Sequence, residues 1–424
     1  MAQVIADYHF LRLNEEVLKD PYPFYAELRA QAPIFQEPDY GVFLVSRYQD
    51  IVEVNRQPEV FSSVLVANAP YVDLPAPIDE LAKWRAEHPY GDKILSNDPP
   101  EHTQYKRLVN QFFTPRRVVA MEPRIRAITN EVINSFVDAG RVEFVTQFAH
   151  MIPRLIVGEL LGVPPEDAVR FRAFFEARLT EMAAAAADPE HGFRQRTTEA
   201  EGITENQFLM RYFVQAIAER RAQPRGDIMS DLANATLDDG EPVAPEAVVS
   251  MITLLYAAGG DANTPELMSN AMLVLLRDPA LMASLRHDPA LAEPFIEEVL
   301  RYDTPVPGVF RVALKDTSVG GVPVAKGSKV MVIYGSANHD ESVFPHGEAF
   351  DLERHFKQPH LGFGTGVHFC PGASLARLEG KVAIQELLRR LGGIRFAEGP
   401  QPPYVPSVIQ RIPIRLLLDF DKLA

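Results

Sequence analysis

A single cysteine, Cys370, stands in a chain of 424 residues. One thiol makes no intrachain disulfide, no Cys-x-x-Cys zinc knuckle and no cysteine-held iron–sulfur cluster. Long apolar runs are missing as well: no stretch of about 18 apolar residues offers a bilayer span. The opening run Met1 to His9 lacks a basic region and an apolar core, so no signal peptide and no membrane anchor are expected. The expected location is a reducing cytoplasm. Positive charge is scarce: 42 Lys and Arg against 57 Asp and Glu leave a net charge of −15. That balance argues against nucleic acid or an anionic membrane as a general partner. No repeat of fixed period and no flexible linker divides the chain. Gly362, Gly364 and Gly366 lack the third spacing and the strand–helix context of a dinucleotide-binding turn, so no flavin or nicotinamide site is expected.

What is present reads as a soluble globular protein, 46% hydrophobic and 23% charged. Phe24 to Ala30 has helical character, and Gly41 to Ser46 reads as a strand. Residues 62–97, broken by Pro70, Pro75, Pro77 and Pro89, read as a long irregular loop. Helical patterning dominates from Glu101 to about Leu300. Phe310 to Tyr334 turns to strand character, with turn signals at Gly320-Gly321 and Lys326-Gly327. The expected fold is mainly α with a small β portion, as one domain over 1–424. Its β-rich part comes from about 25–60 and 305–335, and its α-rich part from about 100–300 and 370–392.

Cys370 lies in Gly362-Phe363-Gly364-Thr365-Gly366-Val367-His368-Phe369-Cys370-Pro371-Gly372. Glycines on both sides let the backbone turn sharply and approach a flat partner. Leu375, Leu378, Val382, Ile384, Leu387, Leu388 and Leu391 then form an apolar helical stripe. Cys370 therefore falls near a helix N-terminus, where unpaired N–H groups and the helix dipole favour a thiolate.

Phe363, Gly366, His368, Cys370 and Gly372, at these spacings, resemble the haem-thiolate loop of cytochromes P450. Other segments carry the resemblance along most of the chain. Glu298-Val299-Leu300-Arg301 resembles the Glu-x-x-Arg of the family's K helix. Arg354, in Phe350-Asp351-Leu352-Glu353-Arg354, resembles the arginine that completes a salt-bridged triad with that pair. Asp98-Pro99-Pro100-Glu101-His102-Thr103 resembles the start of the C helix in soluble bacterial members. The resemblance implies a triangular, α-rich prism around a long central I helix, with haem b (iron protoporphyrin IX) as cofactor and O2 as co-substrate. Cys370 would be the iron ligand, a thiolate that favours O–O cleavage. His102, Lys106, Arg311 and His368 would meet the haem propionates, with Phe363, Gly364 and Gly372 shaping the loop. The family usually has arginine where this chain has Lys106, and lysine is a point charge rather than a fork.

The I-helix segment departs from the family. Pro245 to about Arg277 reads as one helix of roughly 33 residues, about 50 Å long. Its middle, Ala257-Ala258-Gly259-Gly260-Asp261-Ala262-Asn263-Thr264-Pro265, lacks the usual acid–alcohol pair that hands protons to dioxygen. Two registers are open. One puts Asp261 on the acid and Ala262 on the alcohol. The other, favoured by counting back from Glu298 without a gap, puts Ala262 on the acid and Asn263 on the alcohol. Pro265 removes one N–H and crowds the carbonyl of Asp261, so a kink or bulge is expected here. Asp261, Asn263 and Thr264 are the candidate catalytic residues.

By the same resemblance, the substrate pocket draws on Ala257, Ala258, Val306, Val309, Phe310 and Val408, on the 62–97 loop and on helices around Phe171 to Met210. Apolar walls bind by burial, so a medium-sized apolar substrate is expected: terpenoid, steroid-like or aromatic. Electrons are expected from a separate ferredoxin with its reductase and NAD(P)H, docking on Arg116, Arg117, Arg377, Arg389 and Arg390. The protein is expected to be a monomer. The activity expected is a monooxygenase; a peroxide-using enzyme of the same fold and a non-catalytic haem ligand-binding protein are the alternatives.

Overall fold

The computed structural model describes residues 5–66, 73–164, 166–167, 171, 205–397 and 404–423. The chain folds into two compact units, each assembled from separated stretches of sequence. Its helices, in chain order, include α1 (Tyr22–Gln31), α2 (Tyr48–Asn55), α3 (Leu81–Glu87), α4 (Glu101–Asn110), α5 (Glu122–Asn134), α6 (Met151–Leu161) and α7 (Glu205–Ala222). They continue with α8 (Pro245–Tyr256), α9 (Asn263–Arg277), α10 (Ala292–Tyr302) and α11 (Ala373–Arg390).

The first unit takes residues 1–108, 300–370 and 406–411. Its main sheet contains β1 (Ile34–Gln36), β2 (Phe43–Val45), β3 (Phe61–Ser62), β5 (Val309–Ala313) and β8 (Lys329–Val332), in the order β1-β2-β8-β5-β3. β2 and β8 run parallel, and the other neighbours are antiparallel. A hairpin of β6 (Thr317–Val319) and β7 (Val322–Val324) turns at Gly320-Gly321. Both glycines have positive φ, 55° and 81°, as a two-residue turn of this hand requires. Phe24, Leu44, Phe310, Met331 and Val408 meet in one apolar core of this unit. The stretch read as irregular loop holds a short 3-10 turn, Ile78–Glu80, and α3; its residues 67–72 lie outside the described ones.

The second unit takes residues 109–299, 371–405 and 412–424. It is mostly helical, with a three-stranded sheet in the order β4 (Arg141–Glu143), β10 (Leu417–Lys422), β9 (Leu391–Phe396). That sheet was not expected: β4 has three residues and its partners come from the far end of the chain, so no local pattern announces it.

The expected long helix is two helices. α8 ends at Tyr256, Ala257–Asp261 winds into a π-turn, and Ala262 leaves helical geometry at φ −120°, ψ −129°. α9 then restarts at Asn263. Pro265 thus sits in a first turn, where its missing N–H has no intrahelical acceptor to serve. The restart removes the conflict that proline would cause inside a continuous helix. Gly260 suits the close approach of α6: a Cβ on it would lie 3.3 Å from the Cα of Arg154.

Candidate functional site

Cys370 closes a loop whose shape is fixed from several directions. Its N–H donates to the Phe363 carbonyl at 3.0 Å, and the Phe369 N–H donates to the Gly366 carbonyl at 3.1 Å. Gly364 and Gly366 have φ of 68° and 72°, where side chains are strained. A Cβ at Gly366 would also stand 2.6 Å from the carbonyl oxygen of Asn55.

Asn55, at the end of α2, is a hub that sequence reasoning missed. Its side-chain oxygen accepts from Arg311 Nη2 at 3.2 Å, and its amide donates to the Tyr334 hydroxyl at 3.2 Å. Arg311 is 3% exposed and also donates to the Phe310 carbonyl at 2.8 Å. Along β5 the side chains alternate, so Val309 and Arg311 share one face and Phe310 takes the other. Phe310 is fully buried in the core, and Val408 joins it there at 2% exposure. Both were expected on a pocket wall; strand alternation puts Phe310 among the core side chains instead. Val306 and Val309 are partly exposed.

His102, on α4, and His368 are in ring contact, with centroids 4.2 Å apart and planes tilted by 42°. His368 Nε2 meets Ser63 Oγ at 3.1 Å. Asp98 holds this arrangement together, accepting from Ser62 Oγ at 2.6 Å, from the Ser63 N–H at 2.8 Å and from Arg85 at 2.8 Å. His102 is 1% exposed, and neither ring nitrogen has a hydrogen-bond partner among the described residues. Burial and, next, the Lys106 charge push His102 down to about 4. Burial, then the charges of Arg311, His102 and Lys106, push His368 down to about 2. Both imidazoles are therefore neutral at pH 7. The Lys106 ammonium donates to the carbonyls of Val367 and Phe369, the latter at 2.6 Å. Burial lowers its pKa to about 8, opposed by the charge of Cys370.

Arg301 and Arg354 converge on one loop. Arg301, fully buried, donates to the carbonyls of Asn338, Gly347 and Ala349 at 2.9, 2.7 and 2.8 Å. Arg354 donates to those of Pro345, His346 and Ala349 at 2.8, 3.1 and 3.1 Å. The two guanidiniums thus share the Ala349 carbonyl and organise the 338–349 backbone.

In the second unit, the break Ala257–Ala262 leaves Ala257, Ala258 and Asn263 partly exposed and buries Thr264 to 7% exposure. Asn263 Nδ2 reaches the Ala258 carbonyl at 3.5 Å, a long contact. The backbone of Asp261 is the last residue of the π-turn; its side chain lies outside what the structure describes. The segment 172–204, most of the helical wall expected between Phe171 and Met210, also lies outside the described residues. Of the five expected docking arginines, Arg377 pairs with Glu297 and Arg389 with Glu386, while Arg390 donates to Asn130 at 3.2 Å. Carboxylates thus stand beside two of the five. Among the described residues no helix is long and apolar enough to cross a membrane, and no cluster of three or more His, Cys, Asp and Glu could hold a metal ion.

Residues 37–395 match the family model described as Cytochrome P450. The putative cytochrome P450 YjiB of Bacillus subtilis is 33% identical over 375 residues, 88% of either chain. The substrate-free structure of cytochrome P450 CYP150A6 from Mycobacterium marinum superposes with a TM-score of 0.85 at 32% identity, covering 97% of this chain and 98% of that one. CYP109E1 from Bacillus megaterium, solved in complex with testosterone, gives a TM-score of 0.79 at 28% identity, covering 96% and 99%.

Proposed function

The chain belongs to the cytochrome P450 family and is a haem monooxygenase, and we propose that Cys370 binds haem b and that the substrate is a medium-sized apolar molecule oxidised with electrons from a separate ferredoxin. The observation that carries the reading is the polar cluster around Cys370. His102, a buried imidazole without hydrogen-bond partners among the described residues, and the buried Arg311 guanidinium gather around His368, two positions from the only thiol of the chain. Such a set is costly to bury unless an anion completes it. The two carboxylates of a haem are such an anion, and Cys370 is a fitting ligand for its iron. His102, His368 and Arg311 would hold the carboxylates; Phe363, Gly364, Gly366 and Gly372 would keep the loop close.

When bound, haem supplies dioxygen binding and reductive O–O cleavage. The chain's own part is to position and to deliver protons. Asn55 keeps the Arg311 fork aimed, and Ser63 fixes the ring of His368. At the helix break, the backbone carbonyls of the π-turn would accept hydrogen bonds from water. Asn263, with Thr264 next to it, would hold that water, and the water and the Asp261 carboxyl would pass the protons. Val306, Val309, Ala257 and Ala258 would contact the substrate through small, apolar surfaces. The testosterone bound by CYP109E1 supports a substrate of polycyclic, apolar kind. Val367 and Phe369, 37% and 45% exposed beside Cys370, offer an apolar contact for the electron donor. We place the protein in the cytoplasm as a monomer.

The test is turnover of a panel of terpenoids, steroids and aromatics, preselected by the spin-state shift they cause. Product with ferredoxin, its reductase and NAD(P)H supports the reading. Product with hydrogen peroxide alone would make it a peroxygenase, and binding without product a ligand-binding protein.

A further inference from the structure

Lys106 does more than add charge. Its ammonium donates to the carbonyls of Val367 and Phe369, which flank His368. The Phe369 carbonyl belongs to the same peptide plane as the Cys370 N–H, and that N–H donates to the Phe363 carbonyl at 3.0 Å. The plane that leads into Cys370 is thus held at both edges, by Lys106 on its oxygen and by Phe363 on its nitrogen. The Val367 carbonyl holds the plane on the other side of His368. A compact ammonium with rotatable donors can serve two carbonyls that are not coplanar; a planar guanidinium fork is shaped for two parallel acceptors. Lysine at this position therefore suits a loop clamp better than the arginine usual in the family. The ammonium, 2.6 Å from the Phe369 carbonyl, stands one peptide unit from Cys370 and so places a positive charge near it.

We propose that Lys106 is a positioning residue that clamps the cysteine loop through these two carbonyls and moderates the charge of the Cys370 thiolate. The inference rests on haem ligation by Cys370. A cation near the thiolate favours the reduced, more negative state, so its removal makes reduction harder.

The experiment compares K106M and K106R with the wild-type holoenzyme by ferric–ferrous potentiometry, by the spectrum of the reduced CO complex and by haem transfer to apomyoglobin. For K106M, the reduction equilibrium should fall about tenfold, 59 mV for one electron, and part of the CO complex should shift from the thiolate to the thiol signature. K106R keeps the charge and should hold the potential near wild type. Wild-type potential and CO spectrum in K106M would overturn the proposal. So would faster haem loss with both readouts unchanged, which would make Lys106 a propionate anchor. Should K106M not load haem, K106Q carries the same readouts. A wild-type chain without a thiolate signature would instead overturn the haem-ligation reading itself.

Discussion

The cysteine loop and the break between α8 and α9 are both irregular backbone, but they are held in different ways. Lys106 grips two loop carbonyls, Ser63 fixes His368, and the Asn55 carbonyl lies against Gly366. At the break, the described side-chain contact is the long one from Asn263 to the Ala258 carbonyl, and Ala257, Ala258 and Ala262 are partly exposed. A loop tied down by neighbours keeps one geometry, which suits a ligand to a metal. A break with open backbone groups can exchange water, which suits proton delivery. The contrast also places individuality: the cysteine side follows the family's pattern apart from Lys106, whereas the break replaces the acid–alcohol pair.

Substitution at the tightest point of the loop should have the largest effect. G366A adds a Cβ at φ 72° and 2.6 Å from the Asn55 carbonyl. The backbone conformation alone costs about 1–3 kcal/mol. Thermal unfolding and haem content should both fall; wild-type values for both would show the loop to be looser than described.

At the break the expected loss is in chemistry rather than stability. N263A should leave the melting temperature near wild type and lower the product formed per NAD(P)H consumed several-fold, with peroxide released instead. D261N distinguishes the two registers, since the larger loss marks the residue that carries the protons. If neither substitution changes coupling, the break has no part in proton delivery and the contrast fails.

The smallest effect concerns Glu379 on α11. It is 1% exposed, and its Oε2 has no hydrogen-bond partner among the described residues. Burial raises its carboxyl well above the ordinary value of 4.5. A raised carboxyl keeps its proton to higher pH in the folded than in the unfolded chain, so its contribution is complete below the ordinary value and is lost as pH rises through the raised one. E379Q should match wild type in acid and be more stable by about 1 kcal/mol in mild alkali. Equal pH profiles from chemical denaturation would show that Glu379 has a partner that keeps it ionised.

The cysteine loop was legible because its spacing is covalent: Phe363, Gly366, His368, Cys370 and Gly372 lie within ten residues of one another. The strands from Phe310 to Tyr334 were legible from alternation and from the Gly320-Gly321 turn. Asn55, Ser63 and Tyr334 were not, because each meets its site through folding; Asn55 and Arg311 are 256 positions apart. Nor did composition tell Phe310 from Val309, since both are apolar and only the strand's alternation separates core from open face. The helix break was half legible. Pro265 and the glycines announced a distortion, but not that the helix stops and restarts at Asn263.

The central claim is that Cys370 is a thiolate ligand to haem iron. The direct test is the CO-difference spectrum of the reduced wild-type protein beside that of C370S. The account predicts the thiolate signature in the wild type and its complete loss in C370S. A C370S protein that retains the signature, or a haem-loaded wild type that never shows it, would contradict the account.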